Sequence, residues 1–436
     1  CRGRRSPVVI FDISDPTNKS MDPLISLYQK KKAIICLYQS LSQLMPYLLA
    51  QGASVFPDEQ ILSLESCIQS LDKISETGEY LIRIISEFMN TILSSLKNPF
   101  ITDFRKEVLF FQLIPFHIIK QSRILEPRIS LWRDYLGQII ESVKQKDVLL
   151  TFQLTRAFYL DVDEIACGYL EGLADVPDHF NHLPFQWLAG KNDTHRYWKV
   201  VFQIAEKIDR GIYREQEFLP SIAKLAKEYQ LSEITIRNSL SVLRECGIVE
   251  TINGVGTKVV QKSKWKDRLS LDHVSMRESV WRYLYTLQFL VLICIDPASY
   301  AADHITESEI QALDQFLAER DEKERYRLGA VRILDLVILH SPNAVIQNML
   351  EELRKMLYWG YCLYFCRKFK VNRRLLEQFS FVLNSLRSKK KEEFALQLGR
   401  AFNIMYDSIR NILIAEGAAA EGEIPEIQID VLTKMI

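Results

Sequence analysis

The 436-residue sequence has no excess of either charge: Lys and Arg number 55, Asp and Glu number 55, and the formal net charge is zero. A chain-wide basic signature for nucleic acid is absent, so any such contact has to be local. A membrane span needs about 20 apolar residues; the most apolar run, Tyr283–Ile295, has about thirteen and reads as a buried helix. The basic start, Cys1-Arg2-Gly3-Arg4-Arg5, is followed by too short an apolar stretch for a signal peptide. The histidines, His179 and His182 included, form no cluster. The eight cysteines are scattered. Their one close pair, Cys362 and Cys366, has a one-turn helical spacing that suits buried thiols better than zinc, which needs further ligands at set spacings. Scattered thiols without an export signal point to a reducing cytoplasm. A Gly-rich phosphate loop, a metal-ligand cluster and a nucleophile beside a positioned base are all missing, which argues against an enzyme. No cofactor, metal or membrane is expected.

What is present is a chain about three times the usual ~150-residue domain. Its 48% apolar and 25% charged residues suit well-filled cores. Outside residues 195–262, apolar residues recur three and four apart, predicting helices over Leu24–Leu49, Ile61–Asp72, Tyr80–Leu96, Ile101–Lys120, Ile129–Lys144 and Val148–Leu170. Short breaks at Gly52 to Pro57, Asn98-Pro99 and Glu126-Pro127 predict antiparallel packing into a bundle. The last third repeats the plan. Phe56-Pro57-Asp58-Glu59-Gln60-Ile61 resembles Ile305-Thr306-Glu307-Ser308-Glu309-Ile310, both acidic helix starts that complement the dipole. Asn98 of Leu96-Lys97-Asn98-Pro99 matches Asn343 of His340-Ser341-Pro342-Asn343 at an offset of 245. Arg156-Ala157-Phe158 matches Arg400-Ala401-Phe402 at 244, which Asp163 and Asp407 keep. A near-constant offset reads as two copies of one bundle.

Residues 195–262 break this pattern. A helix from about Tyr197 to Asp209 stops at Arg210-Gly211. Pro220 disfavours helix before it, and Ser221 can cap the next helix, Ile222–Tyr229. After Gln230-Leu231, Ser232 is a second N-cap, for a helix from Glu233 to Cys246 that ends at Gly247. Ile248–Ile252 alternates like a strand, Asn253-Gly254 signals a hairpin, and Thr257-Lys258-Val259-Val260 is the return strand. This is the plan of a winged helix-turn-helix, whose second helix presents its N-terminal residues to the major groove. Ser232, Thr235, Arg237 and Asn238 become candidate readers, with Ser221 and Lys224 on the preceding helix. Arg237 can clamp a phosphate or reach a guanine. Gly254 and Gly256 let the wing backbone approach a duplex, and Lys258 adds phosphate attraction.

The stretch resembles the DNA-binding domain of the GntR superfamily. The pattern is carried by Gly211-Ile212, Leu219-Pro220-Ser221, Leu225-Ala226, Leu231-Ser232, Thr235-Ile236-Arg237, Leu240, Leu243, Gly247 and Gly254-x-Gly256-Thr257-x-Val259. Two places depart from it. Ala223 stands where the family has a basic residue, and Glu233 where it has Arg; a carboxylate facing phosphate repels. Eleven Lys/Arg against eight Asp/Glu over 195–262 leave a small basic excess. Gly3-Arg4-Arg5-Ser6-Pro7-Val8-Val9 lines up with Gly254–Val260 and looks like the last strand of a preceding wing.

The helical stretches resemble, more weakly, the effector domain of the FadR-like branch of that superfamily. Many such domains hold a metal through an Asp and three His. The corresponding positions here are Met89 and Leu334, Tyr135, Phe158, Phe379 and Phe402, with Ile85 and Ala330 at the Asp places. None is a useful ligand. Met89, Tyr135, Arg156, Phe158, Leu334, Phe379, Arg400 and Phe402 are the candidate effector-pocket residues. Arg156 and Arg400 would meet an anion or form ion pairs with Asp163 or Asp407. His340 and Asp335, five apart, are poorly spaced for one helix face.

The expected fold is mainly α, with two all-α bundles of FadR-like effector type flanking one winged helix-turn-helix. The expected units are a wing remnant at 1–10, a first bundle at 20–180, a linker at 181–194, the winged helix at 195–262, a second bundle at 268–420 and a loosely held tail at 421–436. The expected function is a cytoplasmic GntR-type transcriptional regulator. It binds double-stranded operator DNA, responds to a small-molecule effector, and acts as a pseudo-dimer within the chain or as a homodimer. The alternative is a degenerate regulator serving as a protein-interaction scaffold.

Overall fold

The computed structural model describes residues 23–72, 78–119, 126–172, 183–189, 194–209, 211–261, 264, 274–360 and 372–432. The wing-like strand at 1–10, Arg210, the linker histidines and the Cys362/Cys366 pair lie outside them. Six helices form the first bundle: α1 Pro23–Ser54, α2 Ile61–Asp72, α3 Gly78–Ser94, α4 Pro99–Ile119, α5 Glu126–Lys144 and α6 Val148–Glu171. The central module holds α7 Thr194–Asp209, α8 Ile222–Tyr229, α9 Glu233–Glu245, β1 Val249–Ile252 and β2 Gly256–Val259. The second bundle holds α10 Val274–Ile293, α11 Ile295–Ala302, α12 Glu307–Ala318, α13 Glu322–Leu339, α14 Ala344–Met356, α15 Arg373–Arg387 and α16 Lys391–Ala415, and α17 Ile429–Leu432 follows. The protein is mainly α.

The two bundles share one packing plan. In the first, α1 packs on α3, α4 and α6, α2 on α3 and α5, α3 on α4, and α5 on α6. In the second, α10 and α11 together take the place of α1. They pack on α13, α14 and α16, while α12 meets α13 and α15, α13 meets α14, and α15 meets α16. A clear difference is a bend of 58° between α10 and α11. Pro297 explains it, because a proline has no amide to return to the carbonyl four residues earlier and its ring crowds that carbonyl. Asn98 and Asn343 do the same local work. Their Oδ1 atoms accept from the amides of Phe100 and Ile101 and of Val345 and Ile346, capping α4 and α14.

The bundles pack through equivalent elements, α1 on α10 and α14, and α10 on α4. Polar contacts repeat across the seam. Asn98 Nδ2 donates to the Tyr285 carbonyl at 2.8 Å and to Gln288 Oε1 at 2.9 Å. Ser40 Oγ donates to Asn343 Oδ1 at 3.0 Å. Ser40 and Tyr285 are 245 residues apart, as are Asn98 and Asn343. This i-to-j, j-to-i exchange is the mark of an isologous interface. Helix α1 is also long and apolar enough over Gln29–Ser54 to cross a membrane, longer than the run the sequence singles out. It is the central helix of its bundle and is mostly buried there.

The described part of the segment 181–194, expected to be a linker, is packed against the bundles: Phe185, Trp187 and Ala189 are buried while Leu183, Pro184, Gln186 and Leu188 are exposed. The Trp187 amide donates to Asn348 Oδ1 at 2.8 Å and its indole N–H to Asp103 Oδ2 at 3.2 Å. Asp103 and Asn348 are again 245 apart, so Trp187 sits across the seam between equivalent positions. The described part of the tail, expected to be loosely held, makes specific contacts. Gly417 ends α16 at φ 68°, where only glycine adopts the left-handed turn without strain. The chain then crosses to α1. Tyr406 Oη donates to the Pro425 carbonyl and Arg410 Nε to the Ile424 carbonyl. Fully buried Gln51 donates to the Glu426 carbonyl and accepts from the Gln428 amide.

Candidate nucleic-acid interface

The central module is built from the caps and turns its sequence announces. Ser221 Oγ accepts from the Lys224 amide and Ser232 Oγ from the Thr235 amide, starting α8 and α9. Gln230, at φ 53°, turns the chain between them, and Gly247, at φ 66°, ends α9. Leu225, Ile236, Leu240, Leu243, Ile248 and Val259 are buried and form the module's core with Ile204 and Ile208 of α7. Helix α9 therefore buries one face at 236, 239, 240 and 243. It turns Glu233, Ile234, Arg237, Asn238 and Arg244 to solvent, the spacing of one helix surface.

The wing pairs β1 and β2 antiparallel in the register Val249↔Val259, Glu250↔Lys258, Thr251↔Thr257 and Ile252↔Gly256. Its tip carries Asn253, Gly254 and Val255, all exposed, with Gly254 at φ 75°. Gly256 lies against Phe218, whose ring a Cβ there would touch at 3.4 Å. Residues 216–219 add to the free edge of β2: the Leu219 amide donates to the Thr257 carbonyl and the Val259 amide to the Glu217 carbonyl. That bridge to β2 was not legible in the loop-like sequence before Pro220.

Of the proposed DNA-contacting residues, Ser221, Lys224, Ser232, Arg237, Asn238 and Gly254 are exposed, and Thr235, Gly256 and Lys258 are half-buried. The electrostatics around them are subdued. Arg237 Nη2 lies 3.6 Å from Glu233 Oε2, one turn away, and Lys258 stands directly across from Glu250. Lys207 faces inward to pair with Glu228, over the rings of Tyr213 and Tyr229. Among the described residues, Lys224 and Lys227 of α8 make no ion pair and supply the clearest cationic points. The hydroxyls of Ser232 and Thr235 are 2.8 Å apart. Sequence reasoning missed Ile234, which is 71% exposed at the N-terminus of α9. Its signal was an apolar residue on the polar face of the helix, where it can meet a thymine methyl.

The module is docked on the second bundle. Trp198 of α7 packs against Trp359 with ring centres 4.4 Å apart and the rings tilted at 50°. The Arg282 guanidinium lies over Trp359 at 5.2 Å, and Ser239 Oγ of α9 donates to the Tyr197 carbonyl of α7 at 2.8 Å. A physical connection therefore runs from α10 to α9.

This geometry has known counterparts. Residues 196–259 match the model of bacterial regulatory proteins of the gntR family. The module is a gntR-type winged helix-turn-helix. The chain is similar to the histidine utilization repressor of Klebsiella aerogenes, at 37% identity over 65 residues, 15% of this chain and 27% of that protein. It is similar to the HTH-type transcriptional regulator TreR of Bacillus subtilis, at 30% identity over 71 residues, 16% and 30% of the two chains. A longer match, 26% identical over 171 residues, covers 37% of this chain and 69% of the mannosyl-D-glycerate transport/metabolism system repressor MngR of Escherichia coli. The chain thus spans less than a third of the first two relatives' lengths. Among solved structures, a Streptococcus agalactiae GntR aligns at a TM-score of 0.25 and 17% identity, over 49% of this chain and 99% of that one.

The effector-pocket candidates are placed differently. Met89, Phe158, Leu334, Phe379 and Phe402 are buried core side chains. Half-buried Tyr135 stands edge-on to Phe158. These positions fit packing and do not fit a metal, since they offer apolar surface where ligands would have to stand. Arg156 is exposed over the Phe152 ring, and Arg400 is half-buried. Neither expected ion pair is formed by Arg156: Asp163 accepts from the Cys167 thiol and Asp407 from Asn403 Nδ2. His340 pairs with Glu309 at 3.0 Å, and Asp335 pairs with Arg354 and Arg332.

Proposed function

We propose that this chain is a gntR-type transcriptional regulator that binds operator DNA through α9 and the wing, works in the cytoplasm and catalyses no reaction. The observation that carries the reading is the capped helix α9, which exposes Ser232, Ile234, Arg237 and Asn238 beside a glycine-tipped hairpin. Ser221 and Lys224 flank it, and Thr235, Gly254, Gly256 and Lys258 complete the contact surface. We further propose that the two bundles are duplicated units of FadR-like effector type, near residues 20–180 and 268–420, joined as a pseudo-dimer within one chain. Their matched packing plan and the 245-residue offset of their reciprocal seam contacts support it. The test is a titration of labelled DNA fragments from the protein's own locus. The expected result is saturable binding to one fragment that is lost with Arg237→Ala. Equal binding to all fragments would refute operator recognition.

The Glu233–Arg237 pair favours a second reading, a reader whose DNA affinity has decayed and whose surface serves protein contacts. It is distinguished by a stable protein partner recovered while duplex DNA gives no shift even at low salt.

A further inference from the structure

We propose that a cavity of about 680 Å³ at the seam between the bundles is the binding site for a small planar anion, and that its occupancy is relayed to the reader through α10. The volume suits a metabolite of ordinary size. Four parts of the chain wall it: the turn from Leu96 to Phe100 between α3 and α4, one face of α10, Tyr406 of α16, and the docked tail from Ala418 to Pro425. It is separate from the core positions that the family resemblance singles out.

The wall chemistry selects the ligand class. Trp281, Tyr285 and Phe100 form an aromatic row. The Trp281 and Tyr285 ring centres are 5.5 Å apart, and Phe100 stands edge-on to Tyr285 at 6.2 Å. A flat ring has faces to stack on there. Lys97, Arg277 and Arg282 bring three cations to the cavity, against the carboxylates of Glu278 and Glu423. Glu423 is already engaged, since its carboxylate accepts from the Ala420 amide and closes the tail turn. The floor is built rather than incidental: buried Gln288 donates to the Leu96 carbonyl and accepts from Asn98 Nδ2.

The same residues reach the reader. Arg282 borders the cavity and lies over Trp359, Trp359 packs at a tilt on Trp198, and the neighbouring Tyr197 carbonyl holds Ser239 on α9. A ligand that draws Arg282 toward the cavity competes with its place over Trp359, which gives the two states a differential contact. This relay rests on the regulator reading; the binding site does not.

The test uses two dyes on the intact chain: anilinonaphthalene sulfonate, a planar aromatic anion, and phenylnaphthylamine, which has the same rings without the charge. The anionic dye is expected to saturate one site. Its affinity should fall at least about tenfold in Arg277→Glu and in Lys97→Glu, two exposed positions whose variants keep the wild-type melting temperature. The exposed Arg373→Glu, on α15, should leave it unchanged. Equal affinity for the two dyes, or unchanged affinity in both cavity variants, overturns the site. Saturating anionic dye should shift operator affinity, and operator should shift dye affinity by the same factor. Dye binding at the mapped site without a shift in operator affinity overturns the relay. Failure to bind DNA at all defeats the regulator reading, while the dye titrations still judge the site.

Discussion

Replacing Glu233 by Gln separates the stability of the reader from its affinity. In the folded protein the carboxylate sits in the first turn of α9, one turn from Arg237, with side chains 53% and 63% exposed. An exposed pair at that spacing contributes about 0.3–0.5 kcal/mol, and a carboxylate at a helix N-terminus about 0.3–1 kcal/mol. The Glu233→Gln substitution should therefore cost roughly 0.6–1.5 kcal/mol of stability. On DNA the sign reverses. A unit charge about 7 Å from a phosphate in water is worth roughly 0.6 kcal/mol, and the repulsion disappears as Arg237 is freed. The expected result is a three- to tenfold gain in affinity, on the order of 1 kcal/mol. If Arg237 gains a phosphate, the salt slope steepens by about 0.9. Fluorescence anisotropy at several salt concentrations, beside a melting curve, reads all three. Weaker binding by Glu233→Gln would refute the reasoning and show that the carboxylate makes a favourable base contact, such as one to a cytosine amine.

Other outcomes follow from the seam and the cores. Asn98→Ala removes the α4 cap and both hydrogen bonds to α10; a loss of about 2–4 kcal/mol is expected in urea unfolding, and a loss under about 1 kcal/mol would contradict the seam. Gly52→Ala puts a Cβ 2.8 Å from the Ile92 carbonyl oxygen, where α1 crosses α3. Backbone cannot yield as a side-chain tip can, so about 1–3 kcal/mol of destabilisation is expected, and a neutral result would show that the crossing relaxes. Burial raises the Asp296 carboxyl above its ordinary range, although the Tyr47 hydrogen bond and the Arg156 charge work to lower it. The folded state then binds the proton more tightly than the unfolded state. That contribution is full below the ordinary carboxylate pKa of about 4 and is lost as pH rises through the folded value. Asp296→Asn should therefore melt with a flatter pH dependence above about pH 4; parallel curves would contradict it.

The reader was the most legible part of the sequence because its signals are local. Ser221 and Ser232 cap helices within three residues of themselves, and Gly247 and Gly254 mark positive φ where the chain turns. The bundle helices were legible through apolar spacing, to within a few residues at their ends. What escaped depends on partners far along the chain. The kink at Pro297 required knowing that Cys294 lies inside one long equivalent of α1, which tolerates its own Pro46. The buried seat of Trp187 depends on Asp103 and Asn348, and the docked tail on Gln51. The alternation of Phe185, Trp187 and Ala189 was a visible hint of burial. For the site, residue types named the reading face, but the pairing of Arg237 with Glu233 and the exposure of Ile234 needed coordinates.

Whether α9 and the wing grip DNA is decided by the salt dependence of binding to a locus fragment. Each phosphate contact contributes a slope of about 0.9 in the logarithm of affinity against the logarithm of salt. Saturable binding that weakens with salt is expected, with Lys224→Ala lowering the slope by about one contact. Binding that is indifferent to salt, or a slope that Lys224→Ala leaves unchanged, would contradict it.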